Sequence, residues 1–251
     1  MSLILVTGGT GTLGRPTVDL LRAAGHDVRV LSRTPGPDRA VGDLSSDPDL
    51  PAAFEGADVV LHLATTAGKG DVAQTERVVR ASEAAGVGHL VYISIVGVDR
   101  VPYPYYRAKL ASEQLVEASP VPHTILRATQ FHDFIAMFVD LQRRLPVILA
   151  IDVPDQPIAV EEVAARLAEL VAAGPSGRVA DIGGPEQLRL LDAIATLQQH
   201  EGTRKPVWRL AIHGKTMRAF REGHHMTALP GYGTETFEAF AARRGAGRSR
   251  A

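Results

Sequence analysis

Short runs of apolar residues alternate with longer amphipathic stretches over the first 130 residues of the chain. The apolar runs are rich in Val, Ile and Leu, as is typical of buried strands. These predicted strands are residues 3–7, 27–31, 58–63, 89–94 and 124–127. The amphipathic stretches predict helices over residues 13–24, 71–85 and 105–118. Alternation of this kind predicts an α/β fold with a doubly wound parallel sheet, because parallel strands need helical crossovers.

The pattern loosens after residue 130. Helices are predicted over residues 131–144 and 160–173, and strands over 147–151 and 178–182. Gly174 and Pro175 end the second of these helices.

No linker-like tract separates the two parts of the chain. We therefore expect one domain over residues 1–245, with a core in 1–130 and a small integrated C-terminal substrate cap within 131–245. Residues 246–251 are expected to form a disordered tail.

The amino-acid composition excludes several classes of function. The 251 residues include 27 basic and 28 acidic side chains, so the net charge of −1 argues against nucleic-acid binding that relies on positive charge. The absence of cysteine excludes disulfides, thiolate nucleophiles and cysteine metal sites. The sequence contains no run of about 18 apolar residues, so no membrane-spanning helix is expected. A strand that begins at Leu3 leaves no room for a signal peptide, so we expect a cytoplasmic protein that acts on a small molecule.

The first predicted strand runs into a glycine-rich loop. Gly8, Gly11 and Gly14 form G-x-x-G-x-x-G, and Gly9, Gly11 and Gly14 form G-x-G-x-x-G. Such glycines permit a tight turn, close approach of a pyrophosphate, and close helix–strand packing. The position between a strand and a helix predicts a dinucleotide-binding Rossmann fold, with phosphates on backbone amides. The expected contacts are Gly8, Thr10, Gly11, Thr12, Leu13 and Gly14.

The end of the second strand bears on which dinucleotide binds. Arg33 stands 19 residues after Gly14, where an NAD site usually has a carboxylate and where an arginine favours a 2′-phosphate. Arg15 and Arg39 could add positive charge. We therefore expect NADP(H) in preference to NAD(H), although Arg33 alone also fits a solvated loop cation.

Several further segments resemble the extended and atypical short-chain dehydrogenases/reductases. These segments are residues 7–14, 42–44 and 62–64. Residues 85–94 and 126–127 resemble the NmrA-like, NAD(P)H-binding branch in particular.

The resemblance implies further cofactor contacts. In that family the residues at the positions of Asp43 and Leu44 lie beside the adenine. Ala64 and Thr65 stand where the family's chain passes the pyrophosphate and ribose.

A tyrosine and a lysine share one face of the helix predicted from residue 105. Tyr105 and Lys109 are four residues apart. An ordinary phenol is a slow proton donor at neutral pH, and a cation one turn away favours the phenolate. The pair resembles the family's Y-x-x-x-K dyad, which implies that Tyr105 donates a proton and that Lys109 tunes it and binds the nicotinamide ribose. Tyr106 is a rival phenol that spacing does not exclude.

The third catalytic candidate is Ser94, which the resemblance implies would polarise the substrate carbonyl. Family members with a full catalytic set commonly carry a second hydroxyl directly after this serine, whereas this chain has Ile95. Ser94 therefore fits a catalytic group, a wall of the nicotinamide pocket or the end of a strand.

Substrate contacts are expected after the strand at 124–127. Gln130, Phe131 and His132 follow it, where the family faces nicotinamide and substrate. A local role is equally open, with Asp133 as a helix cap and His132 at the surface.

The sequence thus predicts an NADP(H)-dependent oxidoreductase that transfers hydride between nicotinamide and a small carbonyl, enone or quinone-like substrate. A non-catalytic NAD(P)H-binding redox sensor is the alternative, because Ile95 departs from the family pattern. No metal site is expected, since His224 and His225 are adjacent and lack metal-ligand spacing. The oligomeric state stays open.

Overall fold

A computed structural model of the chain describes residues 2–46, 50–68 and 70–248. The strands are β1 (Leu3–Thr7), β2 (Asp27–Ser32), β3 (Arg39–Val41), β4 (Val59–His62), β5 (His89–Ile95), β6 (His123–Ala128), β7 (Ile148–Ala150), β8 (Pro154–Asp155), β9 (Gly177–Arg178), β10 (Leu188–Arg189) and β11 (Val207–Arg209). The helices are α1 (Gly14–Ala23), α2 (Leu50–Phe54), α3 (Gly70–Ala84), α4 (Pro104–Ala118), α5 (His132–Leu141), α6 (Val160–Ala173), α7 (Leu190–His200), α8 (Lys215–Arg221) and α9 (Phe237–Arg248).

Seven strands form the main sheet, in the order β3-β2-β1-β4-β5-β6-β9. The pairings of β1 with β2 and β4, of β2 with β3, of β4 with β5 and of β6 with β9 are parallel. The chain leaves β1 on one side and returns to start β4 on the other, as in the dinucleotide-binding Rossmann arrangement. The predicted doubly wound α/β fold is confirmed.

The sheet's central strands are apolar on both faces, because helices cover each side. Ile4, Leu5 and Val6 of β1 are fully buried, and β4 is buried along its whole length. Leu5 packs in one core cluster with Val60 of β4. Burial on both sides explains why these strands are continuous apolar runs rather than alternating ones.

The chain forms two compact units. The first comprises Met1–Ser94, Tyr103–Arg127 and Glu161–Ala180, and the second comprises Ile95–Pro102, Ala128–Val160 and Asp181–Ala251. The chain therefore passes between the two units several times.

The second unit has its own core and two small sheets. Side chains from α5, α7 and α9 form an apolar cluster that includes Ile135, Leu197 and Phe237. Antiparallel β10–β8 and parallel β11–β7 are its two-stranded sheets.

Two elements near the C-terminus differ from the predicted bounds. The strand predicted over residues 178–182 is the two-residue β9, and Ile182 makes only an isolated bridge to Ala128. Helix α9 continues to Arg248, three residues into the predicted tail, and residues 249–251 lie outside the described part of the chain. No helix in the described ranges has both the length and the apolar character needed to cross a membrane.

Candidate dinucleotide and catalytic site

The glycine loop connects β1 to α1 and leaves no space for a side chain at Gly8 or Gly14. Gly8 has φ of +70°, and a Cβ there would lie 2.7 Å from the backbone nitrogen of Ala64. A Cβ on Gly14 would lie 2.1 Å from the carbonyl oxygen of Gly8. Both positions therefore require glycine, because the loop packs against backbone on two sides.

The first turn of α1 suits an anion. Leu13 stands at the N-cap, and within the described residues no side chain caps this helix and no carboxylate lies in its first turn. The backbone amides and the positive end of the helix dipole thus lack a competing negative charge. With the glycine cradle, this arrangement fits the pyrophosphate of a dinucleotide.

The other predicted cofactor residues of the first unit differ in exposure. Arg33 directly follows β2 and is exposed, whereas Leu44 is only 8% exposed and packs in the core. Asp43 is half-buried, and its carboxylate accepts a hydrogen bond from the Ser45 amide at 2.8 Å. The Ala64 amide donates to the Thr7 hydroxyl, which fixes the chain just after β4.

A cavity of about 430 Å³ opens beside the glycine loop, and several arginine side chains line it. Its walls include Thr10, Arg15 and Arg39, together with the ion pair between Arg22 and Asp38 at 3.3 Å. Arg15 donates to the Thr10 carbonyl at 2.9 Å, so this guanidinium is held at the loop.

Helix α4 carries the predicted tyrosine–lysine pair. Pro104 is its first residue and holds Tyr103 in an extended conformation, so the helix begins sharply before Tyr105. Tyr105 is half-buried, and its phenol oxygen lies 3.3 Å from the Thr65 hydroxyl. The rival Tyr106 is only 7% exposed and packs edge-on against Tyr105.

Lys109, one turn further along α4, is 3% exposed. Its ammonium donates to the Ile93 carbonyl at 3.1 Å and lies 4.8 Å from the centre of the Tyr92 ring. Burial lowers the pKa of Lys109, while Tyr105, Asp71 and Glu113 act in the opposite direction.

Ser94 lies in β5, at the end of the first segment of the first unit, and its hydroxyl is buried. It is 2% exposed, and its Oγ has no hydrogen-bond partner among the described residues. An unpaired buried hydroxyl is costly, which makes Ser94 suited to a ligand atom.

A chain of buried polar groups that was not predicted from the sequence links β1, β4, α3 and α4. The Thr7 hydroxyl bonds to His62 Nδ1 at 2.7 Å, His62 Nε2 to the Thr75 hydroxyl at 3.1 Å, and Thr75 to Ser112 at 3.2 Å. Burial, reinforced by the charge of Lys109, lowers the pKa of His62 to about 3, so the imidazole is neutral. The position of a histidine within the apolar run of β4 is the one feature of the sequence that could have indicated this network.

The second unit contains the three predicted substrate residues, and His132 takes a different role there. It is fully buried, its Nε2 lies 3.0 Å from the Pro157 carbonyl, and its ring packs against Phe237 and Phe240. His132 is therefore packed in the core of the second unit and does not lie at the surface. Gln130 and Phe131 are half-buried.

Comparisons with known proteins agree with the geometry of the loop. Residues 8–173 match the family model described as NAD(P)H-binding. The chain is 31% identical over 210 residues to a (4-alkanoyl-5-oxo-2,5-dihydrofuran-3-yl)methyl phosphate reductase of Streptomyces griseus, covering 78% of this chain and 73% of that protein. It is 32% identical over 151 residues to a 2-alkyl-3-oxoalkanoate reductase of Stenotrophomonas maltophilia, covering 46% of each, so the match spans less than half of that second relative.

A solved structure shares the fold at low sequence identity. An NADPH-dependent quinone oxidoreductase from Escherichia coli, in complex with NADPH, aligns with a TM-score of 0.81 and 18% identity over 96% of this chain and 99% of that one. The chain therefore belongs to the family whose model is described as NAD(P)H-binding, which matches about two thirds of its length.

Proposed function

We propose that this protein is an NADP(H)-dependent oxidoreductase that transfers hydride between nicotinamide and a small carbonyl, enone or quinone-like substrate. The observation that carries the proposal is the pair on α4: a half-buried Tyr105 phenol one turn from the fully buried Lys109 ammonium. Both lie in the compact unit that contains the glycine loop. The names of the two relatives, both reductases, support the reaction class.

Each of the three catalytic candidates has a distinct task in this proposal. When bound, the nicotinamide supplies or accepts the hydride. Tyr105 gives a proton to the substrate oxygen as negative charge develops there, and Lys109 stabilises the resulting phenolate from a fixed position. The unpaired Ser94 hydroxyl donates a hydrogen bond to the same oxygen. The phenolate regains its proton from solvent.

The cations beside the glycine loop support NADP(H) over NAD(H). The cavity beside Thr10 is lined by Arg15, Arg22 and Arg39 against two carboxylates, Asp19 and Asp38, of which Asp38 is paired with Arg22. A 2′-phosphate gains charge-assisted hydrogen bonds from arginines, whereas the ribose diol of NAD(H) favours a carboxylate. Exposed Arg33 is the third cation proposed to contact this phosphate.

The test is a turnover assay with NADPH and a panel of quinones, enones and ketones, followed by loss of the absorbance of the reduced nicotinamide. We expect saturable oxidation with at least one class of acceptor, and none with the Tyr105→Phe variant. Tight NADPH binding with no oxidation across the panel would contradict an enzyme and favour the redox sensor.

A further inference from the structure

Two neighbouring residues of β5 hold the buried Lys109 ammonium. The ammonium donates a hydrogen bond to the Ile93 carbonyl at 3.1 Å, and it lies 4.8 Å from the centre of the Tyr92 ring. The face of an aromatic ring attracts a cation at this distance, and the attraction is stronger where water is excluded. Tyr92 is only 1% exposed, so the contact between its ring and Lys109 is shielded from solvent.

The carboxylates that act on Lys109 are bound by other groups. Burial lowers the pKa of Lys109, whereas the charges of Asp71 and Glu113 act to raise it. Glu113, however, accepts two hydrogen bonds from Arg127, at 2.8 and 2.6 Å. Asp71 accepts three hydrogen bonds, each at 2.6 Å, from the two threonines that follow β4. Neither carboxylate therefore forms an ion pair with Lys109 among the residues that the structure describes.

Tyr92 is a neutral ring with a fixed neighbour. Burial raises the pKa of its phenol well above the ordinary value, so at neutral pH Tyr92 is neither a counter-ion nor a proton donor. Its ring packs against the His62 ring, with 5.3 Å between the centroids. Hydrogen bonds to the Thr7 and Thr75 hydroxyls hold His62, and burial lowers the pKa of its imidazole to about 3. His62 thus supports the Tyr92 ring without adding a second positive charge.

We propose that Tyr92 is a positioning residue for the reaction, because its ring holds the Lys109 ammonium one turn from Tyr105 without neutralising it. A carboxylate in place of the ring would cancel part of the field that stabilises the Tyr105 phenolate. A ring attracts the cation through its quadrupole and brings no net charge. This inference rests on the proposed function, in which Lys109 stabilises that phenolate.

The pKa of Lys109 can be measured directly, because the chain has only four lysines. Carbon NMR of protein labelled at the lysine ε-carbon gives one signal for each, and the Lys109→Met variant assigns the signal of Lys109. We expect the pKa of Lys109 to fall by about one pH unit in Tyr92→Leu, which removes the ring but stays apolar. Tyr92→Phe keeps the ring face and should leave this pKa within about 0.3 of its wild-type value.

Turnover at saturating NADPH gives the second readout. Tyr92→Leu should lower kcat about tenfold, because the ammonium loses its fixed position, and Tyr92→Phe should recover kcat to within about threefold of wild type. Phe54→Leu is the matched control, since it removes another fully buried ring from the same core cluster. An unchanged Lys109 pKa in Tyr92→Leu would overturn the inference. So would an equal fall of that pKa in Phe54→Leu, or a loss of kcat in Tyr92→Phe as large as in Tyr92→Leu.

A measurement on the wild-type protein keeps the inference testable if Tyr92→Leu does not fold. Protons over the face of an aromatic ring are shifted upfield by the ring current. The ε-methylene protons of Lys109 should therefore resonate upfield of those of the other three lysines. Coincidence of all four proton signals would overturn the inference.

Tyr105→Phe in the same assay distinguishes failure of this inference from failure of the proposed function. If Tyr105→Phe is inactive and Tyr92→Leu retains the wild-type kcat and Lys109 pKa, the role of Tyr92 is wrong while the proposed function stands. If Tyr105→Phe retains wild-type kcat, the proposed function fails and this inference fails with it.

Discussion

The Lys109 ammonium donates a hydrogen bond to the Ile93 carbonyl at 3.1 Å from a position that is 97% removed from solvent. A charge held by one backbone oxygen and the face of one ring is expensive to bury. Burial accordingly lowers the pKa of Lys109, against the effects of Tyr105, Asp71 and Glu113. In the proposed function this cost is offset by a catalytic gain, because the buried cation lies one turn from Tyr105.

The Lys109→Met variant should separate the effect of Lys109 on stability from its effect on catalysis. Because a buried ammonium is replaced by an apolar chain of similar length, we expect the free energy of unfolding at pH 7 to rise by about 1 kcal/mol. The kcat should fall about 100-fold, since the phenolate loses its stabilising cation. Denaturant unfolding and steady-state kinetics measure the two changes. A variant that loses stability and activity together would indicate a structural lysine.

The buried ion pair between Arg127 and Glu113 predicts a large loss of stability when only one partner is removed. Two hydrogen bonds of 2.8 and 2.6 Å join the side chains, which are 6% and 2% exposed. Arg127→Met leaves the Glu113 carboxylate buried and unpaired, at a cost of about 3–5 kcal/mol. The double variant with Glu113→Gln should recover most of that loss in denaturant unfolding. Equal losses in the single and double variants would contradict the coupling.

The doubly wound parallel α/β fold could be predicted from the sequence because its determinants are local. Strand-length apolar runs, helical stretches and the glycines at 8, 11 and 14 each depend on near neighbours in the chain. The same holds for Tyr105 and Lys109, whose common helix face follows from a spacing of four.

The contacts of His132 and Asp71 could not be predicted, because they depend on tertiary packing. His132 is buried by Phe237 and Phe240, more than 100 residues away in the chain. From the sequence alone, an aspartate in the first turn of a helix is expected to be exposed to solvent, where it stabilises the helix dipole. The structure instead shows that Asp71 accepts a hydrogen bond from Thr65, whose hydroxyl also lies 3.3 Å from the Tyr105 phenol.

The buried carboxyl of Asp155 should make the free energy of unfolding depend on pH. Burial raises the pKa of its carboxyl from 3.8 to about 6, against the hydrogen bond from the Gln156 amide. The folded protein thus binds this proton more tightly than the unfolded chain, so ionisation costs stability above pH 6 and costs little below pH 4. Asp155→Asn should raise the free energy of unfolding by about 2 kcal/mol at pH 8 and by much less at pH 4. The same gain at both pH values would contradict the assignment.

The preference for NADPH over NADH tests the proposed role of the arginines near the glycine loop. Arg33→Ala and Arg39→Ala should each weaken NADPH binding about 10-fold while leaving NADH affinity within about twofold, because only NADPH carries the 2′-phosphate. Arg80→Ala is the control, since Arg80 is an exposed arginine that pairs with Glu76 on α3. Fluorescence titration at fixed ionic strength measures the affinities. An unchanged preference for NADPH in Arg33→Ala would remove that residue from the site.

The central claim is that Tyr105 donates the proton in an NADPH-dependent reduction. The most direct measurement is the kcat of Tyr105→Phe at saturating NADPH and acceptor, with the NADPH Kd measured on the same preparation. We expect a loss of at least about 100-fold in kcat, with a Kd within about twofold of wild type, because the ring remains and only the hydroxyl is removed. A variant that turns over at the wild-type rate would contradict it.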